Sequence, residues 1–220
     1  DIMEKSKNNI VLGTVFMLAF ILFTILVKYI DVKNIGPKNS YVGFSSLNLW
    51  FKNLVGQNML FYKITKYLGY LSFGIVIYFA IKGLLDLVKK KSLFKVDKNI
   101  IATGIFYVIL LCFYVLFEKV VINYRPILID GVLEPSYPSS HTLLSMFLCG
   151  SAIIYNCKLN NKLSKKILNV ILTLLLVAIL GGRIISGVHW LSDIFGSIIL
   201  STSLLFYYSY FINKKNVKAS

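Results

Sequence analysis

Residues 167–212 read ILNVILTLLLVAILGGRIISGVHWLSDIFGSIILSTSLLFYYSYFI. Two apolar runs, at 167–185 and 194–212, flank a polar string that begins at Arg183 and ends at Asp193. Each run is close to the roughly 20 residues that an α-helix needs to cross the hydrocarbon core of a bilayer. The stretch therefore predicts two membrane helices whose polar connection lies at one surface of the membrane.

The same pattern continues through the rest of the chain. Hydrophobic residues make up 57% and charged residues 15% of the 220 residues, so the chain is too apolar for an ordinary soluble domain. Four further apolar runs lie at roughly 10–30, 67–88, 99–117 and 139–157. The last is the weakest because it begins Ser139-Ser140-His141-Thr142. We predict one all-α membrane domain over residues 1–220, with six transmembrane helices.

The net charge of +15 could indicate nucleic-acid binding, but the positions of the charges argue against it. Lysines cluster between the apolar runs, at 5–7, 89–98, 158–166 and 214–218. With six spans these segments share one side, and the positive-inside rule makes that side the cytoplasm. We expect a protein of the cell inner (plasma) membrane with both termini cytoplasmic and no nucleic-acid partner.

The longest connection, residues 31–66, contains a helical pattern of its own. Apolar residues recur there at helical spacing, at Leu47, Trp50, Phe51, Leu54 and Val55. We predict a short helix lying in the outer interface of the membrane. It could act as a lid or lipid guide over a site, or serve only as a connector with an aromatic anchor.

Both histidines of the chain lie in polar strings on the predicted outer side. Ser139 is suited to N-cap the fourth span, and the free N–H groups of the first helical turn form a ready anion site. Capping does not explain His141 at the mouth of that helix. His189 and Asp193 are four residues apart, so on a helical segment they share a face, and the carboxylate can accept the Nδ1 proton and orient the ring.

Both arginines, Arg125 and Arg183, also lie on the outer side, whereas the cytoplasmic clusters contain only lysine. The planar guanidinium group binds oxyanions in a bidentate manner. Arg125 precedes Pro126 in an outer loop, residues 118–138, that contains three of the four prolines. Two arginines and Ser139 around one pocket would neutralise phosphoryl oxygens, which indicates phosphoryl transfer.

These residues resemble the motifs of the type 2 phosphatidic acid phosphatase family, whose fold is similar to that of vanadium-dependent haloperoxidases. The family carries lysine, six residues and Arg-Pro; then Pro-Ser-Gly-His; then Ser-Arg, five residues, histidine, three residues and aspartate. The second motif here reads Pro138-Ser139-Ser140-His141, with serine replacing glycine. The third runs from Gly182-Arg183 to His189 and Asp193, with glycine replacing serine.

The first motif departs further from the family pattern. Arg125-Pro126 is present, but Glu118 stands seven residues before the arginine, and Lys119 follows it. One residue corresponds to about 100° around a helix, which the long lysine side chain can span. Lys119 is therefore expected to bind substrate, and Glu118 could pair with Arg125 or with a substrate headgroup.

The resemblance implies a haloperoxidase-like helical core and a two-step mechanism. His189 would attack phosphorus to give a phosphohistidine, His141 would protonate the leaving group, and Asp193 would orient His189. The residues implied to hold the phosphoryl group are Lys119, Arg125, Ser139, Ser140 and Arg183. No carboxylate cluster suited to magnesium is evident, so activity without a metal or other cofactor is expected.

A site at the outer membrane boundary suits a lipid phosphate whose tail remains in the bilayer. We expect undecaprenyl diphosphate, because enrichment in lysine, isoleucine and asparagine suggests a bacterium with an AT-rich genome. Phosphatidylglycerol phosphate, phosphatidic acid and diacylglycerol diphosphate satisfy the same condition. A lipid phosphotransferase, a non-catalytic anionic-lipid binder or transporter, and a vanadate peroxidase are the alternatives.

Overall fold

The structure, a computed structural model, describes residues 2–157 and 162–213. The predicted lysine segment 214–218 and the start of the segment 158–166 lie outside the described residues. Within the described ranges the chain forms seven α-helices and two 3₁₀ turns, without strands. The helices are α1 (Ile2–Tyr29), α2 (Ser45–Val55), α3 (Met59–Lys90), α4 (Lys98–Lys119), α5 (Ser140–Asn156), α6 (Lys162–Ser186) and α7 (Leu191–Asn213).

The all-α prediction is confirmed, whereas the prediction of six spans stays a prediction. Five of the described helices, α1, α3, α4, α6 and α7, are long and apolar enough to cross a membrane. The predicted span 139–157 corresponds to α5, which has 17 residues and begins with polar side chains. Because α5 packs against α3, α4, α6 and α7, most of its surface contacts protein and does not need to be apolar.

The third helix begins earlier than hydropathy indicates. We predicted its start at residue 67, but α3 begins at Met59, so residues 59–66 are helical rather than part of the outer connection. The side chain of Asn58 accepts hydrogen bonds from two N–H groups of the first turn, as N-caps do. The additional turns carry Lys63 and Lys66, whose charges exclude them from an apolar run although the helix continues through them.

The predicted short helix is present as α2, and its location in the membrane interface stays a prediction. Leu47, Trp50 and Leu54 are exposed on its surface, whereas its polar residues Ser45 and Asn48 are buried against the protein. An exposed apolar stripe at the end of a membrane bundle is suited to contact with lipid. The buried polar face attaches α2 to the start of α7.

The loop of residues 120–139 is anchored in the bundle by Tyr137. Its ring stacks on Phe20 of α1, and its hydroxyl lies 2.7 Å from the hydroxyl of Thr24. It also lies against Gly196 of α7, where any side chain would collide with the ring. This anchor fixes the loop that carries Arg125 and Ser139 relative to α1 and α7.

Candidate active site

His189 lies in the turn of residues 187–190 between α6 and α7, and not in a helix as its spacing from Asp193 suggested. Gly187 opens this turn with φ +64°. A side chain at Gly187 would collide with the carbonyl oxygen of Gly56. The left-handed backbone and the close approach both require glycine. The turn therefore holds His189 in a fixed position at the outer ends of α6 and α7.

His189 and Asp193 are brought together as a buried pair. Nδ1 of His189 lies 3.5 Å from Oδ2 of Asp193, at the outer limit of hydrogen-bond distance. The same Oδ2 accepts a hydrogen bond of 2.9 Å from the backbone N–H of Trp190, the residue before α7. An acidic side chain that binds back to the start of its helix forms half of a capping box. One carboxylate thus both caps α7 and faces the imidazole.

Arg125 fixes the tautomer of His189. Its Nη1 lies 3.1 Å from Nε2 of His189, and a guanidinium can only donate. Nε2 must therefore accept through its lone pair, which places the proton of the neutral ring on Nδ1, toward Asp193. Burial, and then the positive charge of Arg125, lower the pKa of His189 well below its usual value of 6.5. At neutral pH the ring is uncharged, and among the described residues its Nε2 lone pair is engaged only by the hydrogen bond from Arg125.

Arg183 is a buried positive charge without a counter-charge. Its side chain is fully buried, and none of its three nitrogens has a hydrogen-bond partner among the described residues. Its guanidinium lies 5.2 Å from the ring of Tyr62. Arg125, Arg183 and His141 all act electrostatically on His189, so the four groups share one site. An uncompensated buried charge is costly, which makes this a site for an anion.

The first turn of α5 joins this site. Ser139 is the N-cap residue, as predicted, but its hydroxyl lies 3.0 Å from that of Thr142 and caps no backbone N–H. Its backbone N–H donates to the carbonyl of Asp193 at 3.1 Å, which attaches α5 to α7. Nδ1 of His141 is buried and has no hydrogen-bond partner in the described part of the chain. Ser140 lines a cavity beside it.

Of the two charged residues in the last turn of α4, Glu118 and not Lys119 lies beside the start of α5. Glu118 lines a small pocket with Ser136, Pro138 and Ser140. Lys119 is exposed, and its side chain makes no hydrogen bond or ion pair with the residues that the structure describes. Substrate binding by Lys119 stays a prediction. The sequence left open an ion pair between Glu118 and Arg125. Arg125 pairs instead with Glu134, at 2.9 Å between Nε and Oε2.

Two buried asparagines that we did not predict hold the start of α7. The amide of Asn48 donates to Ser192 Oγ at 2.9 Å and accepts from Ser192 N–H at 3.1 Å. Asn123 places Nδ2 3.4 Å from Oδ1 of Asp193 and accepts from Gly43 N–H at 3.1 Å. The polar face of α2 was a signal for Asn48. No sequence pattern marks a single asparagine in a loop, such as Asn123.

A cavity of about 360 Å³ opens between α3, α4 and α5 and reaches His141. Its walls include the side chains of Tyr70, Phe73, Leu111 and Tyr114. A largely apolar cavity with an imidazole at one end is suited to an amphiphile. Over residues 2–157 and 162–213, no group of three or more His, Cys, Asp or Glu side chains is placed to hold a metal ion. Metal-free activity stays a prediction.

Comparison with known proteins agrees with this arrangement. The sequence profile of the PAP2 superfamily matches residues 100–217. The fold is similar to that in the crystal structure of the first transmembrane PAP2 type phosphatidylglycerolphosphate phosphatase from Bacillus subtilis, with a TM-score of 0.60 and 16% sequence identity over 94% of this chain and 96% of that chain. Among curated proteins none matches. The chain is a multi-pass membrane protein and belongs to the PAP2 superfamily.

Proposed function

We propose that this protein is a membrane lipid phosphatase. It hydrolyses a phosphomonoester or diphosphate of a lipid at the extracytoplasmic face of the membrane, through a phosphohistidine intermediate. Undecaprenyl diphosphate is the substrate that we favour. Phosphatidylglycerol phosphate is the second candidate, favoured by the name of the protein whose fold is similar.

The observation that carries this proposal is the buried, unpartnered guanidinium of Arg183 beside a neutral imidazole. A phosphoryl group would supply the missing negative charge and accept hydrogen bonds from Arg183. Nε2 of His189 and Nη1 of Arg125 are adjacent, 3.1 Å apart. Attack on a phosphoryl group requires a nucleophile with a positive charge beside it that stabilises the phosphoryl oxygens.

The proposed reaction has two steps. In the first, Arg125 transfers its hydrogen bond from Nε2 of His189 to the phosphoryl oxygens. The freed Nε2 lone pair forms a bond to phosphorus, and the bond between phosphorus and the leaving oxygen breaks. The electron pair stays on that oxygen, which takes a proton from His141. In the second, His141 accepts a proton from water as the water oxygen attacks phosphorus, and the electron pair of the P–N bond returns to Nε2. Asp193 stabilises the charged ring between the steps.

The cavity between α3, α4 and α5 supports a lipid substrate. Its walls beside His141 are aromatic and aliphatic, so a lipid tail could remain in apolar surroundings while its phosphate contacts the arginines. A small soluble phosphate ester would leave this cavity unfilled. Polyprenyl and acyl chains are both apolar, so the experiment compares lipids of both kinds.

The test measures free phosphate released by detergent-purified protein in EDTA. Undecaprenyl diphosphate, phosphatidylglycerol phosphate and phosphatidic acid are compared for wild type and His189→Ala. We expect release by wild type, fastest with undecaprenyl diphosphate, and a loss of at least about a thousandfold in the variant because the nucleophile is gone. Acid-labile phosphate on the wild-type protein after a rapid quench would identify the intermediate.

Other results would contradict the proposal in distinct ways. Phosphate transfer to an acceptor lipid without release would indicate a phosphotransferase. Release that persists in His189→Ala would exclude the phosphohistidine. Lipid binding without turnover of any of the three lipids would indicate a binder or transporter.

A further inference from the structure

The site has a carboxylate where the family motif has a lysine. Glu118 lines the pocket beside Ser140, whereas Lys119 is exposed and its side chain has no partner among the described residues. The charge of Arg125 is partly neutralised by its ion pair with Glu134. Arg183 is thus the one arginine left without a carboxylate, and a phosphate or diphosphate group would be under-neutralised by it alone.

We propose that Lys66 of α3 supplies the missing charge and binds the substrate phosphate in place of the motif lysine. This inference rests on the proposed function, since it assigns a further phosphate-binding residue to the same site. It places one of the binding groups on a helix that lies outside all three sequence motifs.

The register of α3 places Lys66 between two residues that touch the site. Tyr62, Lys66 and Gly69 are at i, i+4 and i+7 and share one face of the helix. The ring of Tyr62 lies 5.2 Å from the guanidinium of Arg183. Gly69 lies against His141, so closely that a Cβ there would be 2.9 Å from Cδ2 of the imidazole. Lys66 therefore lies on α3 between the residue that contacts Arg183 and the residue that contacts His141.

The start of α3 is fixed against α6. The N–H of Asn58 donates to the carbonyl of Ser186 at 3.0 Å, and Thr65 packs directly on Gly182. Lys66 itself is exposed, and its side chain makes no hydrogen bond or ion pair with any described residue. It is close enough to His141 for the two groups to interact electrostatically. The ammonium group is therefore near the site and available to an anion.

Lys63 provides a matched control on the same helix. It is exposed as well, one turn nearer the start of α3, and three residues place it about 60° away around the helix. If α3 used lysine only to anchor its end among lipid headgroups, Lys63 and Lys66 would be equivalent. If Lys66 binds phosphate, only Lys66 is needed.

The experiment compares Lys66→Met, Lys66→Arg, Lys63→Met and Lys119→Met with wild type and His189→Ala. The readouts are kcat/KM for phosphate release and the inhibition constant of inorganic phosphate, which reports binding of the phosphate alone. We expect Lys66→Met to lower kcat/KM and to raise the inhibition constant, each about tenfold to a hundredfold, as for a lost charged hydrogen bond. Lys66→Arg should recover most of both, and Lys63→Met should remain within about twofold of wild type.

The inference is overturned if Lys66→Met stays within about twofold of wild type. It is also overturned if Lys63→Met loses as much, since that would indicate general surface charge, or if Lys119→Met alone loses phosphate affinity. None of these results affects the proposed function, which fails only if His189→Ala still releases phosphate or wild type releases none.

Discussion

At the scale of single residues, His189 is held neutral and in one tautomer before any substrate arrives. Burial and one neighbouring residue, Arg125, together produce this state. Arg125 donates to Nε2 and adds positive charge, and the burial of the ring opposes protonation further. A nucleophilic histidine needs an unprotonated nitrogen at working pH, which this environment provides without a general base.

We predict that His189 remains neutral well below pH 6.5. Because burial and Arg125 both lower the pKa of this ring, it should stay uncharged as the pH falls through the range in which an exposed histidine becomes protonated. Ring ¹⁵N NMR of the detergent-solubilised protein would check this. The chain has two histidines, so a His141→Ala variant assigns both sets of signals.

The expected spectrum is that of a neutral ring protonated at Nδ1, unchanged from about pH 8 to about pH 5.5. Arg125→Gln should move the titration upward, toward 6.5, because removal of a neighbouring positive charge favours the imidazolium. Protonation of wild-type His189 near pH 6.5, or a proton found on Nε2, would contradict the assignment.

At the scale of helices, the packing of α3 on α6 explains a departure from the family pattern. The family has serine before the arginine of the third motif, and this chain has Gly182. A side chain at Gly182 would collide with Cγ2 of Thr65 on α3. Thr65 is buried, and its hydroxyl donates to the backbone carbonyl of Phe61 at 2.7 Å. Its side chain therefore cannot rotate away from a residue added at position 182.

We predict that Gly182→Ser destabilises the protein and that Thr65→Ala rescues it. The single change should cost about 1–3 kcal/mol, as overpacking of a filled interface does. In the double variant the added serine occupies the space that Thr65 leaves, so the two changes should not be additive. Thermal unfolding in detergent measures all four proteins of the cycle, with Gly181→Ala as control, because nothing lies within 4 Å of that site. Equal losses in Gly182→Ser and the double variant would refute the contact.

Sequence predicted the apolar helices better than their ends. An isolated helix in a bilayer must satisfy its own backbone, so a long apolar run specifies a helix with little help from tertiary structure. The start of α3 was wrong because Asn58, and not hydropathy, decides it. The bounds of α5 were predicted better, since the run at 139–157 matches Ser140–Asn156 to within one residue at each end.

The site was predictable to the extent that motifs carry it. His141, Arg183, His189 and Asp193 stood out as polar residues in apolar sequence. Lys66 and Asn123 did not, since their relation to the site depends on which helices pack together, and no local pattern records that. The choice between Glu118 and Lys119 depends on the rotation of α4, which its nearly uniform apolar surface leaves open in sequence.

At the scale of the whole molecule, the residues of the site gather at one end of the bundle, with α2 above the start of α7. Lysine clusters lie at the opposite end, around residues 89–98 and 165–166. If the positive-inside rule holds here, the site faces away from the cytoplasm, and a substrate must present its phosphate there.

We predict that the loop before α2 is accessible from outside intact cells. Tyr41→Cys, exposed by 67%, should react with a membrane-impermeant maleimide when Cys112, Cys149 and Cys157 are replaced by serine. A second variant that retains Cys157, which is exposed at the opposite end of the bundle, should react only after permeabilisation. Labelling with the reverse pattern would place the site on the cytoplasmic side.

The burial of α5 also has a consequence for how the protein is made. Because its first turn is polar, a nascent α5 is expected to partition only weakly from the translocon into lipid. It is nevertheless synthesised before α6 and α7. Its partners, the backbone carbonyl of Asp193 and the hydroxyl of Ser197, emerge from the ribosome only with the last helix. The site residues are therefore united at the final stage of biogenesis, and a chain that stops before α7 reaches the membrane without a working site.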